Sequence, residues 1–350
     1  MLMHLIIALL FIITVFLAFA EDNMEKSHKI IILVGYAIFM IILAATKSID
    51  NTADAKSYEQ MFYGNDDMIT EIATEPTYIY LSRIVLAMGG TVWVMFFIYA
   101  IITIPAKLKA LNDLTPYIFT ALMVYIPVYF ELHDMVQIRA AAAATFLLSS
   151  LIPLSNKQYL VAGLLMVIAV LFHYSSLIFL PFLLLGNRKL STTWRIGLAS
   201  FVVLCFVMYL TGRDIFHLIP SSFVSGKIDV YQDTSEKGEW EMALLYKNVY
   251  YMIKFVLLFV CLYYYDYIVE RNRIAPLIIN IFAASILTPM LISSVPIIAT
   301  RTSDLYGIVD GIVFTYLLLL ISPRYAAKAC IAIVGMYMII YNMIVTEYFT

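Results

Sequence analysis

The stretch "YLVAGLLMVIAVLFHYSSLIFLPFLLL", residues 159–185, decides how the rest of the chain is threaded. It reads either as one long tilted membrane span or as two short ones meeting at "LFHYSS", since about 20 apolar residues cross a bilayer. One span would invert every later loop and carry Arg188, Lys189, Arg271, Arg273, Arg324 and Lys328 to the outer side. Two short spans keep those cations inside, where short loops accumulate lysine and arginine. We therefore read two spans, with His173 at an outer-side turn below the lipid headgroups. Irregular backbone at that depth is tolerated only when it is buried in protein or lines a wet cavity.

Composition agrees with a membrane setting. The 350 residues are 63% hydrophobic and 13% charged, with a mean hydropathy of +0.90, whereas soluble domains carry about a quarter charged residues. The expected fold is an all-α polytopic membrane protein forming one integral domain over 1–350. About 12 apolar segments are readable, at 2–20, 30–46, 91–105, 116–132, 139–154, 159–172, 174–186, 196–212, 248–268, 276–293, 306–322 and 327–345. Several are short or re-entrant by length. The first lacks a positive leading region, so despite Ala18-Phe19-Ala20 it reads as a retained helix rather than a cleaved signal. Cys205, Cys261 and Cys330 each stand alone in apolar surroundings and carry no assigned chemistry. A net charge of −2 offers no nucleic-acid footprint.

With the N-terminus outside, the inner face gathers Lys26, Lys29, Lys107, Lys109, Lys157 and Arg195 with the six cations named above, and few acids. Two outer segments are long. The first, 47–90, contains an acidic stretch that includes Asp66 and Asp67, read as a solvated face. An amphipathic surface helix follows, with Thr74 as N-cap, Glu75 and Pro76 in its first turn, and Tyr78, Leu81, Val85 and Met88 along one face. The second, 213–247, is polar enough to be an external cap or lid.

This threading collects Asp54, Tyr58, Glu75, Tyr78, His133, Asp134, Gln137, Arg139, His173, Tyr174, Arg301 and Tyr306 on or just beneath the outer face. Arg139 and Arg301 are the informative pair, because ionisable groups near membrane depth are costly and tend to face cavities. Two cations lining one cavity suit a polyanion. Each has a bland alternative: either arginine could snorkel at a helix end, and His173 could be a polar link between helices. Sugar transfer from a lipid pyrophosphate needs charge stabilised on the leaving group, which fixed guanidinium forks supply. It also needs a base for the acceptor hydroxyl, and His173, Glu75 and Asp54 all qualify, His173 foremost. Tyr58, Tyr78 and Tyr174 could stack on sugar rings. The sequence shows no Asp-x-Asp and no His/Cys cluster at metal-ligand spacing, so no metal or cofactor is expected.

The ordered set Asp54-x-x-x-Tyr58, "EPTYIYLSRI" from Glu75, "QIRAAAAATF" from Gln137, "HYSSLIFL" from His173, and Arg301 followed by Tyr306 resembles the Wzy and EpsG group of bacterial polysaccharide polymerases. The resemblance covers about 45–310. "TADAKSY" lacks an aromatic directly after the aspartate, and Ala140 stands where a second glutamine is common.

The resemblance implies a GT-C-like enzyme of the bacterial inner membrane whose site faces the periplasm or cell exterior. It would move a growing glycan from undecaprenyl pyrophosphate onto an undecaprenyl-pyrophosphate-linked repeat unit. Arg139 and Arg301 would hold pyrophosphates, and His173 would be the base or an orienting group. Asp54, Glu75, Gln137 and Tyr306 would support or bind glycan. A repeat-unit flippase and a chain-length regulator are the implied neighbours. The rivals are a flippase for lipid-linked oligosaccharide, disfavoured by the lack of internal repeats, and a membrane acyltransferase modifying surface glycan.

Overall fold

The computed structural model describes residues 2–64, 75–215, 248–346 and 348–349. Asp66, Asp67, Thr74 and nearly all of the expected 213–247 lid lie outside the described residues. The described chain is helical throughout, apart from one isolated antiparallel bridge between Thr52 and Phe349. Seven described helices are long and apolar enough to span a membrane, and an eighth counts if Val249–Tyr263 and Tyr265–Arg271, bent by 81°, form one span. The remaining apolar segments are shorter or broken, so full-length spans are fewer than the dozen segments read from sequence.

The chain divides into two units, Met1–Leu183 with Asp310–Thr350, and Leu184–Val309. The first contains α1 (Leu2–Ala20), α2 (Lys26–Ala45), α3 (Ala55–Tyr63), α4 (Pro76–Ala87), α5 (Val92–Leu114) and α6 (Ile118–Tyr125). A π-helix over Ile126–Val136 follows, then α7 (Ile138–Ser155) and α8 (Tyr159–Phe172), a 3-10 turn over Tyr174–Phe179 and α9 (Pro181–Leu185) at the unit boundary. The second unit holds α10 (Thr192–Leu210), α11 (Val249–Tyr263), α12 (Tyr265–Arg271), α13 (Ala275–Leu291) and α14 (Pro296–Tyr306). The chain then re-enters the first unit with α15 (Asp310–Thr315), α16 (Leu317–Leu320) and α17 (Arg324–Ile344).

Close packing in the first unit comes from small residues. Ala140–Ala144 of α7 are buried, and α7 lies against both α5 and α8, since side chains this small let helix backbones approach. A Cβ on Gly311 of α15 would sit 2.7 Å from the Ala121 carbonyl oxygen, so only glycine fits there. By contrast, Leu2, Leu9 and Phe16 of α1 and Ile31, Val34 and Ile38 of α2 point outward. Such an apolar exterior suits lipid rather than water.

Two polar clasps hold the ends of this unit. At one end the buried Glu21 accepts from the Phe119 backbone N–H at 2.9 Å and from the Thr120 hydroxyl, capping the start of α6. Lys328 reaches Asp22 at 2.5 Å and Glu21 at 3.8 Å, while Arg324 lies 3.5 Å from Asp22. Lys29 donates to the Pro116 carbonyl at 3.3 Å. At the other end the Ala53 N–H donates to the Tyr348 carbonyl at 3.0 Å, and the Phe349 ring meets His4 edge-on at 5.0 Å. Both chain termini therefore meet the segment after α2 at a single end.

The expected interruption at "LFHYSS" is present. α8 stops at Phe172, His173 is extended, and the chain turns in 3-10 geometry before Pro181. Fourteen residues rise only about 21 Å, short of a hydrocarbon core of about 30 Å, so α8 alone is too short to cross it. Two expectations need correction. Lys107, counted among inner-loop cations, sits inside α5 and is buried against Asp134. Met88, assigned to the buried face of α4, is 81% exposed; the stripe that packs is Tyr78, Ser82 and Val85.

In the second unit, Asn187 ties the segment before α10 to the start of α13 by donating to the Arg273 carbonyl at 2.7 Å and accepting from Leu277 N–H at 3.2 Å. Ser303 of α14 donates to the Ser285 carbonyl of α13 at 2.7 Å.

Removing the Lys328 ammonium leaves Glu21 and Asp22 without their buried cation. Lys328→Ala is expected to destabilise the protein by about 3 kcal/mol, read as a lowered Tm in detergent. An unchanged Tm would show that this clasp contributes nothing.

Candidate functional site

The site is assembled where two helices begin and a third stops. α4 begins just after Glu75, whose extended backbone precedes Pro76, a residue pre-set for the first helical position. Arg139 sits in the first turn of α7, which starts at a break after the π-helix and carries no side-chain cap. His173 is the extended residue that ends α8. Thr77 fixes α4 to this ending by donating to the Leu171 carbonyl at 2.8 Å.

Glu75 joins the other two. Its Oε2 accepts from Arg139 Nη1, and its Oε1 lies 2.6 Å from His173 Nδ1. An ionised carboxylate only accepts, so Nδ1 carries a proton, and Nε2 is the lone-pair nitrogen of the neutral imidazole. His173 Nε2 has no partner among the described residues. Glu75 is 4% exposed. Burial opposes its charge, but the His173 hydrogen bond and the Arg139 guanidinium outweigh this and hold its carboxyl below the ordinary value of 4.5.

Aromatic rings shape the floor. The Arg139 guanidinium lies 5.4 Å from the Tyr58 ring and 6.0 Å from the Tyr78 ring, within cation–π range. Tyr78 donates to the Tyr58 carbonyl at 2.7 Å. Among the described residues, Arg139 Nε is buried without a hydrogen-bond partner. A cation in the first turn of a helix adds to the positive end of the helix dipole rather than complementing it, and the combination favours an anion at this point.

The sequence-derived residues divide as follows. Asp54, Tyr58, Glu75, Tyr78, Gln137, Arg139, His173 and Tyr174 all belong to the first unit. Glu75, Arg139, His173, Tyr58 and Tyr78 form one contact set. Tyr58 and Tyr78 are buried beneath the guanidinium and offer no open ring face to a sugar, whereas Tyr174 is 45% exposed. Asp54 is exposed at the left-handed start of α3, and Gln137 is half-buried at the start of α7. Arg301, exposed, and Tyr306 lie on α14 of the second unit.

His133 and Asp134, read from the sequence as lying on or just beneath the outer face, are buried in the π-helix. Both Asp134 oxygens accept from Lys107 at 2.9 Å, with Thr103 at 3.0 Å and Tyr125 at 2.5 Å completing the shell. A carboxylate this well paired is structural.

Lys47 was missed by the sequence reading, where a lysine just after an apolar run passes for an interfacial anchor. It is fully buried, donates to the Met135 carbonyl at 2.6 Å and lies 4.3 Å from the Phe96 ring. Burial pushes its ammonium down to about 7 against the pull of Asp134 and Asp54. Among the described residues, no group of three or more His, Cys, Asp or Glu side chains is arranged to hold a metal ion.

The EpsG family model matches residues 30–349. The chain belongs to the EpsG family. This membership carries a polysaccharide-polymerase type of function, consistent with glycosyltransferase-like chemistry. No functionally curated protein and no solved structure matches the chain. In this EpsG family member the Glu75 bridge joins the described polar centre.

Because the pKa of Glu75 is lowered, its stabilising contribution is complete above pH about 4.5 and is lost as pH falls through the lowered value. Glu75→Gln is expected to lower Tm at neutral pH and to flatten the acid-side decline of the wild type. Parallel melting curves for the two proteins across that range check this.

Proposed function

We propose that this protein is a polysaccharide polymerase that transfers a growing glycan from undecaprenyl pyrophosphate onto an undecaprenyl-pyrophosphate-linked repeat unit. The observation that carries the reading is the bridge from Arg139 through Glu75 to His173. It sets a fixed guanidinium beside an imidazole whose outward nitrogen can accept a proton.

In this reading the Arg139 fork and the start of α7 bind the donor pyrophosphate and stabilise the charge that builds on it as the sugar–phosphate bond breaks. His173 Nε2 takes the proton of the acceptor hydroxyl. Glu75 keeps the imidazole in the required tautomer and stabilises the imidazolium that forms. As the anion engages Arg139, Glu75 is less neutralised, and its remaining charge favours proton uptake by His173. Phosphate binding and base activation are thus coupled through one carboxylate. Arg301 enters through the family resemblance, as the cation for the second pyrophosphate; Tyr306, Gln137, Asp54 and Tyr174 enter as glycan contacts.

The proposed setting is the bacterial inner membrane, with both termini and the site toward the outside. Lys29, Arg324 and Lys328 cluster at the end of the first unit opposite to the paired termini, which supports this orientation by the positive-inside rule. A repeat-unit flippase and a chain-length regulator are the proposed neighbours, and lipid-linked oligosaccharides the substrates.

The test is a ladder gel of surface polysaccharide from cells lacking the gene, complemented with wild type, Arg139→Lys, Arg301→Ala or His173→Ala. Arg139→Lys should stall the product at one repeat unit while the protein remains in the membrane, because lysine cannot supply the planar fork. His173→Ala should cut polymer formation about 100-fold or more. Normal ladders from Arg139→Lys would remove this account of the site. Full-length ladders altered only in acetyl content in the deletion strain would point to an acyltransferase, and lipid-linked units retained on the inner face to a flippase.

A further inference from the structure

In the second unit, segments 187–195 and 265–277 together carry five cations, Arg188, Lys189, Arg195, Arg271 and Arg273, against two carboxylates, Asp266 and Glu270. Hydrogen bonds hold the two segments together. Asn187 donates to the Arg273 carbonyl at 2.7 Å and accepts from the Leu277 N–H at 3.2 Å, and the Leu190 N–H donates to the Tyr265 hydroxyl at 2.9 Å. Arg188 and Lys189 lie between these two ties, so the chain holds them against the turn that carries Arg273.

Two of the five cations are occupied. Arg195 pairs with Asp266 at 2.9 Å and lies 5.0 Å from the Tyr265 ring. Arg271 stacks at 3.5 Å on the Tyr267 ring, donates to the Tyr267 carbonyl at 3.0 Å and comes within 3.9 Å of Glu270. Arg188, Lys189 and Arg273 are exposed, and among the described residues none of the three has an ion pair or a side-chain hydrogen bond. Like charges held together by a fixed backbone repel one another. A counter-charge from outside the chain relieves that repulsion.

The surroundings identify what brings it. α10 opens just after these residues, with Ser191 as its cap, and is apolar and almost wholly exposed, with Ile196, Leu204 and Val207 facing outward. Such a helix is covered by lipid. Trp194 and Tyr267, both exposed, stand beside Arg195 and Arg271, and tryptophan and tyrosine gather at the level of the lipid headgroups. A ligand with an anionic group at this level and an apolar body along α10 is a phospholipid.

We propose that the turn formed by Arg188, Lys189 and Arg273 binds the phosphate of an anionic phospholipid whose acyl chains lie along α10. Basic pockets between membrane helices bind headgroups of this kind. A lipid of no net charge brings its own cation beside the phosphate and gains less from three cations that lack partners. The inference goes beyond the polymerase reading and does not depend on it, because none of these residues belongs to the Glu75 bridge and the ligand is a component of the bilayer.

The experiment uses the full chain carrying Trp93→Phe and Trp240→Phe, which leaves Trp194 as the sole tryptophan. It is placed in phosphatidylcholine nanodiscs doped with dibrominated phosphatidylglycerol or dibrominated phosphatidylcholine, since bromine quenches an indole only near contact. The anionic lipid is expected to quench Trp194 at a much lower mole fraction than the neutral one, with a preference that shrinks as salt is added. Arg188→Gln/Lys189→Gln/Arg273→Gln should abolish this preference. Arg273→Gln alone should cut it about fivefold, and carries the test should the triple variant fail to accumulate. Lys109→Gln/Lys157→Gln removes two cations that the threading places on the same side, and should keep the full preference. Glycerol phosphate at the bulk concentration of the doped lipid should not restore the fluorescence. Equal quenching by the two lipids in the parent chain would overturn the inference, as would a preference that survives in the three-site and Arg273→Gln variants. An equal loss in Lys109→Gln/Lys157→Gln would reduce the effect to the charge of the whole face and overturn the site. Recovery with glycerol phosphate would show a site for free phosphate and overturn the lipid assignment.

Discussion

A single carboxylate bears on the arrangement of the whole first unit. Glu75 is buried at the start of α4 and satisfies a cation on one oxygen and an imidazole on the other. In an apolar interior each of these groups alone would be expensive to bury. Together they neutralise one another at the point where α7 begins and α8 ends. The polyalanine face of α7, the aromatic floor under Arg139 and the anchoring of α4 to Leu171 all serve to keep this bridge closed.

The π-helix extends the same logic beneath the bridge. Lys107 and Asp134 form a second neutralised pair, and Lys47 packs onto the Met135 carbonyl near the helix end. These charges stand directly behind the start of α7, so Arg139 is presented from a support that is itself polar and fully packed. Buried pairs of this kind add little net stability compared with apolar packing. Their value is in fixing which way the chain turns.

Much of this arrangement was visible in the sequence. The charge asymmetry of short loops required a break inside 159–185, and it occurs at His173. A cation opening an apolar run marked Arg139, and Glu-Pro marked the start of a helix. The roles of buried partners were not visible. Lys107 and Asp134 are separated by 27 positions, and Lys47 and Met135 by 88, so no local periodicity links them. A π-helix shifts register by one residue per turn relative to an α-helix, and a pattern of 3.6 residues assigns its faces wrongly. Tyr58 and Tyr78 read as ligand platforms because sequence cannot tell an aromatic facing a sugar from one facing a guanidinium.

The first unit is discontinuous, and its two ends are stitched together by Phe349 against Thr52 and His4. The ribosome delivers Thr52 and the glutamate, arginine and histidine of the centre well before α15, α17 and the terminal tail exist. Residues 184–309 must be inserted into the bilayer first. During synthesis, then, the turn before α3 forms well ahead of the Tyr348 and Phe349 backbone that pairs with Ala53 and Thr52. The contacts among Glu75, Arg139 and His173 are made wholly within residues 75–173 and need none of that later chain.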